Sequence, residues 1–201
     1  MILLLLGCSD EVWLPADTVV DAPGADPDAP FGDPEMAVNG VRGSGCCAGG
    51  TDVYSLQLEG ERTSLLLAFA EPVVDGDGPD LVVFENPFEI QGGGVFMDPV
   101  VVEVSEDGET FVRFPWEAPD VYTSDPAAWS GLAGLTPVSA NVDDPDAPLP
   151  EDPAAGGDAF DLAELGLTAV THVRLVVDDA IPYDIVSNGP DIDGVYGRTL
   201  R

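Results

Sequence analysis

The sequence predicts an all-β sandwich with one short helix and long loops. Three observations carry this reading. Short apolar runs recur along the chain, and most alternate with polar positions, the period of a half-buried strand. Turn-forming residues separate them, with 23 Gly and 19 Pro among 201 residues. Apolar residues make up 45% of the chain, enough to build a core despite a formal net charge of −32.

That charge comes from 38 acidic against 6 basic residues, and every basic residue is Arg. Such a balance excludes a nucleic-acid partner, because neutralising phosphates needs clustered Lys and Arg. It equally disfavours docking on an anionic membrane through a basic patch. No apolar run reaches the ~20 residues of a bilayer-spanning helix. An acid-rich, Lys-free surface also suits high salt, where its repulsion is screened.

In chain order, residues 1–8 form an apolar segment ending Leu5-Leu6-Gly7-Cys8, followed by Ser9 and Asp10. This segment resembles the lipobox of bacterial lipoproteins, whose Cys is acylated and becomes the mature N-terminus. It departs from that pattern in lacking a positive start and in being shorter than the ~7–15 apolar residues of an export signal. The resemblance implies lipidation at Cys8 and a place in the bacterial cell envelope, outside the cytoplasm, with membrane contact only through the lipid anchor. Residues 9–36 are rich in Asp, Ala and Pro, which predicts a disordered acidic tether.

The sandwich is expected over residues 37–201. In 51–58, Tyr54, Leu56 and Leu58 alternate with Val53, Ser55 and Gln57, and 63–69 answers as a second strand. Residues 80–85 are an apolar run, as a strand covered on both faces requires. Residues 100–105 and 110–114 flank Asp107-Gly108, a hairpin signal. Further strands are expected at 172–177 and 191–196. The one helix should begin at an Asp158 cap, carry Asp161 in its first turn and stop at Gly166. Residues 115–157 are too long for a plain connection, and loops of this length are usually functional or disordered. Within them 129–141 should pack and 143–153 should be mobile.

The adjacent Cys46 and Cys47 are either small residues of a glycine-rich loop or members of a vicinal or intermolecular disulfide. A zinc site is disfavoured, since no second Cys pair exists and His172 is the single histidine. Asp75, Asp77 and Asp80 place three carboxylates in one Gly-rich loop, a candidate calcium site. It is no EF-hand, because Asp80 stands where Gly is needed and Asn86 where a bidentate Glu belongs. Asp158, Asp161, Asp191 and Asp193 form a second candidate group. In a chain so acidic, solvated acidic turns are the alternative for both.

For ligand contact the candidates are Glu85, Asn86, Phe88, Trp116, Trp129 and Asn141. Aromatic faces beside carboxylates and amides suit sugar stacking; buried loop anchors are the competing reading, and an Asn before Pro often satisfies a loop backbone. A Ser–His–Asp site would have to use His172, which falls in a predicted strand. A glycosidase needs two carboxylates, and so many acids nominate no pair. The sequence therefore points to a non-catalytic binding or assembly module, with a glycan or surface protein as partner. A surface hydrolase using a carboxylate pair is the alternative.

Several ordered motifs carry a resemblance: DGDGPDLVVFENPF (75–88), FMDP (96–99), VSEDG (104–108), WSGLAGLTPVSAN (129–141), GGDAFDLAELGL (156–167) and DIDGV (191–195). They are similar to a family of bacterial cell-surface lipoproteins with DGPG-D-F-VFENPF, FM[ED]P, VSxDG, AGxxPVxxN, AGGDxFDLA and FDLDAV segments, the last matched by residues 191–195. Gly194 departs from the Ala of that pattern, and Cys46-Cys47 has no counterpart in it. The resemblance implies a galactose-binding-like jelly roll on the cell surface and no particular activity.

Overall fold

A computed structural model describes residues 11–43 and 50–201. The lipobox with Cys8, and the Cys46–Cys47 pair, lie outside the described residues. The strands are β1 (Glu11–Pro15), β2 (Thr18–Asp21), β3 (Tyr54–Ser55), β4 (Ser64–Val74), β5 (Leu81–Glu85), β6 (Phe88–Glu89) and β7 (Val95–Phe96). They continue as β8 (Val100–Ser105), β9 (Val112–Arg113), β10 (Leu132–Ala133), β11 (Asp158–Phe160), β12 (Ala169–Val176) and β13 (Asp191–Leu200). One antiparallel sheet runs β1-β13-β5-β11 with β3 beside β13. The other runs β10-β8-β12-β4-β2 with β9 beside β8, and β6–β7 is a separate hairpin. From β1 to β5 successive strands alternate between the sheets, so the all-β sandwich expected from the sequence is what the chain forms.

Side-chain alternation builds the core. Leu65, Leu67 and Phe69 of β4, Val100, Val102 and Val104 of β8, and Val173 and Leu175 of β12 face Leu81 and Val83 of β5 and Val195 of β13. Burying each such side chain stabilises the fold by about 1.5–3 kcal/mol. Both β5 and β8 are buried along their whole length, and the long connection explains why. Trp129, Leu132 and Leu135 pack with Val101 on the outer face of β8, while Val138, Ala140 and Ala155 pack with Val82 and Phe84 of β5. The connection thus wraps both sheets. Residues 143–153, expected to be mobile, form hydrogen-bonded turns, with Ala147 N donating to Asp144 O and Asp152 N to Leu149 O.

The expected tether is corrected. From Glu11 onward the chain belongs to the sandwich: β1 pairs with β13 from Glu11↔Leu200 to Pro15↔Tyr196, and β2 pairs with β4. Backbone pairing carries β1, whose Trp13 also packs against the outer cluster on β5. Asp-Pro steps, in this segment and in the long connection alike, are turn devices. Asp33, Asp125 and Asp152 each accept a bond from the amide two residues on, and Pro34, Pro126 and Pro153 each open the short 3-10 turn that follows.

The expected helix is corrected too. Residues Asp158–Phe160 are strand β11, and only Leu162–Leu165 coil, as a 3-10 turn capped by Asp161 and ended by Gly166 in the left-handed region. Asp158 does not cap it, because its carboxylate is held from elsewhere in the chain. The 100–105/110–114 hairpin forms as β8–β9 with Glu103↔Arg113 and Val104↔Val112 in register. Its connection is longer than a two-residue turn, and Asp107 Oδ1 accepts from the Glu109 and Thr110 amides at 2.8 Å.

Candidate functional site

Three sequence motifs meet at the end of β5. Glu85 is the last residue of that strand and lies 3% exposed. Its Oε1 accepts from the Asp191 amide at 2.8 Å, at the start of β13. Asp191 in turn accepts from the Ser55 hydroxyl of β3. Asp98, in the FMDP segment after β7, is 8% exposed. Glu85 Oε2 and Asp98 Oδ1 are both buried without a hydrogen-bond partner. Gly134 has φ +92°, which favours glycine, and a Cβ there would stand a tight 3.0 Å from both Glu85 Oε2 and the Asp98 carbonyl oxygen.

Electrostatics mark the same place. Burial pushes the Glu85 carboxyl well above the usual carboxylate range, and the charges of Asp98, Asp191 and Asp158 add to the shift. Burial first, then Asp191 and Asp184, pushes Asp98 up to about 6, against a hydrogen bond from Ser187. The segment between β12 and β13 covers the pair: Ile181 is buried, and the Tyr183 hydroxyl donates to the Pro99 carbonyl at 2.8 Å. Burial and Asp98 also raise the Tyr183 phenol above its ordinary value.

The seven carboxylates expected as metal ligands separate. Asp75, Asp80 and Asp161 come together with oxygens within 4.8 Å of one another, a group that could hold a metal ion. Asp80 is already engaged, however. Its Oδ1 pairs with the Arg198 guanidinium and accepts from Gly76 N at 3.0 Å, and Oδ2 accepts from Leu162 N at 2.9 Å. A Cβ on Gly76 would run into the Arg198 guanidinium, which would have to leave its place on Asp80 to make room. Asp77 is outside this group and gives its backbone carbonyl to Arg198. Asp158 holds the Gly134 turn, accepting from the Gly134 and Leu135 amides at 2.8 Å and the Thr136 hydroxyl at 2.9 Å. Asp193 is fully buried and accepts from the Arg42 amide, and burial pushes its carboxyl to about 7.

Most expected ligand contacts are occupied with the fold. Asn86 spans Gly50, donating to its carbonyl at 2.7 Å and accepting from its amide at 3.0 Å. Asn141 donates to the Gly43 carbonyl. Trp129 is 5% exposed, with Nε1 bonded to the Thr123 carbonyl at 3.1 Å. Phe88 stacks on Phe96 across the β6–β7 hairpin at 5.1 Å, and Trp116 is half-buried against the cluster that holds Trp129. His172 is half-buried in β12 with Nδ1 2.7 Å from the Thr171 hydroxyl.

Sequence reasoning missed a groove beside these aromatics. It measures about 670 Å³ and runs between Glu89, Ile90, Gly93 and Gly94 of the β6–β7 hairpin and the segment 123–126. Thr123, Ser124 and Asp125 supply polar groups and Ile90, Val95 and Pro126 apolar ones; the ladder Phe88–Phe96–Tyr122–Trp129 adjoins it in the chain at Phe96 and Tyr122, but none of its rings lines it. The run Gln91-Gly92-Gly93-Gly94 was its only signal in sequence. Comparison of the chain with protein-family models, with curated proteins and with solved structures finds no match in any of the three.

Proposed function

We propose that this protein is a non-catalytic binding module of the bacterial cell surface, held to the envelope through acyl chains on Cys8. Its ligand is a neutral glycan taken in the groove between the β6–β7 hairpin and residues 123–126. The observation that carries this reading is the groove itself. Hydroxyls, carboxylates and bare glycine backbone line it together with the apolar Ile90, Val95 and Pro126, the mix a sugar's hydroxyls and apolar faces need. A net charge of −32 turns polyanions away, which leaves neutral or cationic ligands. The motif resemblance to cell-surface lipoproteins supports the location.

An ion at Asp75, Asp80 and Asp161 would have only oxygen donors, which selects calcium over zinc. Because Arg198 already neutralises Asp80, the binding role does not rest on that ion. The alternative of a hydrolase would draw on Glu85 and Asp98, whose raised carboxyls suit a general acid. Both are buried beneath the segment before β13, so a substrate bond has no route between them while it stays in place.

The test uses protein recovered from bacterial membranes, with mass spectrometry of its N-terminus and binding to arrayed neutral oligosaccharides. A lipid-modified Cys8 and glycan binding lost in Glu89→Trp at unchanged melting temperature are expected. Glu89 is exposed, so the larger side chain fills the groove without disturbing the core. An unmodified Met1 in the soluble fraction overturns the anchoring. Equal binding by Glu89→Trp, or glycoside turnover abolished by Glu85→Gln in a folded protein, overturns the groove assignment.

A further inference from the structure

We propose that Glu85 and Asp98 form a calcium site beneath the segment between β12 and β13, distinct from the Asp75, Asp80 and Asp161 group. The inference starts from two oxygens. Glu85 Oε2 and Asp98 Oδ1 are buried, lie in side chains 3% and 8% exposed, and have no donor within reach. Buried polar atoms in folded proteins nearly always have a partner, and those that lack one call for an ion or another explanation. Two carboxylates buried together are worse than one, because each repels the other's charge.

No cationic side chain pairs with them. Among the described residues the ion pairs involve Arg42, Arg113, Arg174 and Arg198, and none of them reaches Glu85 or Asp98. The surroundings add further negative charge, since Asp191, Asp158 and Asp184 all act on the pair. This differs from the other acidic group, where the Arg198 guanidinium stands in the cation's place. A cation at the Glu85 end of β5 would answer every one of these features.

The donors select the ion. Glu85 Oε2 and Asp98 Oδ1 are hard oxygens, the Asp98 carbonyl oxygen lies on the same side of Gly134 as Glu85 Oε2, and Ser187 of the covering segment acts on the Asp98 carboxyl. An all-oxygen set excludes zinc. Donors from a strand end, a loop and the covering segment make an irregular shell, which suits calcium with its six to eight ligands better than octahedral magnesium. Such an ion would fasten the FMDP segment and the covering segment to the end of β5, next to the β6–β7 hairpin that borders the groove. The site stands on its own, whether or not the groove takes a glycan.

The test is calcium binding to the full chain after chelator treatment, read by titration calorimetry and by melting temperature, with magnesium and sodium at matched ionic strength. One calcium per chain and a rise of about 5–10 °C at ~100-fold excess over the dissociation constant are expected. Glu85→Gln and Asp98→Asn should each lose the calcium-specific rise, while Asp75→Asn and Asp161→Asn keep it. Asp98 lies outside the strands, so Asp98→Asn decides the matter if Glu85→Gln fails to fold. Equal shifts with all three cations overturn the proposal. So does calcium binding kept by Asp98→Asn, or lost in Asp75→Asn and Asp161→Asn instead.

Discussion

Replacing Asp80 by Ala should be among the most damaging single changes to the described fold. The carboxylate is fully buried and serves three donors: the Arg198 guanidinium, the Gly76 amide and the Leu162 amide. It thereby ties the loop after β4 and the 3-10 turn after β11 to β13. Removing it leaves a guanidinium 5% exposed with only the Asp77 and Gly78 carbonyls at 3.3 and 3.5 Å, and Glu11 at 3.8 Å. Breaking a buried pair from one side costs about 3–5 kcal/mol. Each orphaned amide costs a further ~1–3 kcal/mol if water cannot reach it. A loss of at least about 3 kcal/mol is therefore expected, a lowering of melting temperature by roughly 6–20 °C. Asp80→Asn keeps the shape and one acceptor and should fall between wild type and Asp80→Ala. Urea unfolding at pH 7 and fixed ionic strength measures both, with equal m-values as the check on two-state behaviour. Combining Asp80→Ala with Arg198→Met should cost less than the two singles together, because neither charge is then left alone. A loss under about 1 kcal/mol for Asp80→Ala would place the pair with weak surface bridges and refute the reasoning.

Trp129→Ala should unfold the protein more readily, by about 3–5 kcal/mol, because the ring is buried among Met97, Leu132 and Ile181. An unchanged melting temperature with lost ligand binding would instead make Trp129 a contact residue. Stability should rise as pH falls from 8 to 5. Burial holds the Asp193 carboxyl at about 7 in the fold against the ordinary 3.8, so the folded state holds the extra proton between those values. Its contribution is present in full below the lower value and lost as pH rises through the upper one, a change of about 2.5 kcal/mol between pH 8 and 5. Urea unfolding across this range should show a shallower pH slope for Asp193→Asn than for wild type, and an identical slope would refute the assignment.

The strands that a single face or full burial dictates were legible in the sequence. The run 80–85 read as a strand covered on both faces, and β5 is; the strands expected at 63–69 and 172–177 form within β4 and β12 and place Leu65, Leu67, Val173 and Leu175 in the core. What failed was composition read as structure. Asp and Pro over 9–36 suggested a solvated spacer, yet Asp26 and Asp33 each bind the amide two residues on, so the acids fold the backbone locally. Asp158 looked like a helix cap, and only the tertiary fold shows that the 134–136 turn claims its carboxylate. The candidate site was half legible. Glu85 and Asp191 were singled out for different reasons, whereas Asp98 was not, and nothing in spacing says that residues 85, 98 and 191 converge. A carboxylate ending an otherwise apolar strand was the signal that could have prompted the search.

The pairing of β1 with β13 also governs the order in which the molecule can form. Glu11 lies opposite Leu200, so the first and last described strands are neighbours, and β13 sits between β1 and β5. A chain emerging from synthesis can assemble β4, β8 and β12 of the second sheet while the first still waits for its middle strand. During that interval β5 offers a bare apolar edge, a template on which another chain could add. Contacts between such distant segments also form slowly. The waiting chain is guarded by its charge: with 38 acidic residues against 6 basic ones, two unfinished copies repel before their edges meet. The acidity that turns polyanions away from the finished surface thus also protects the unfinished chain.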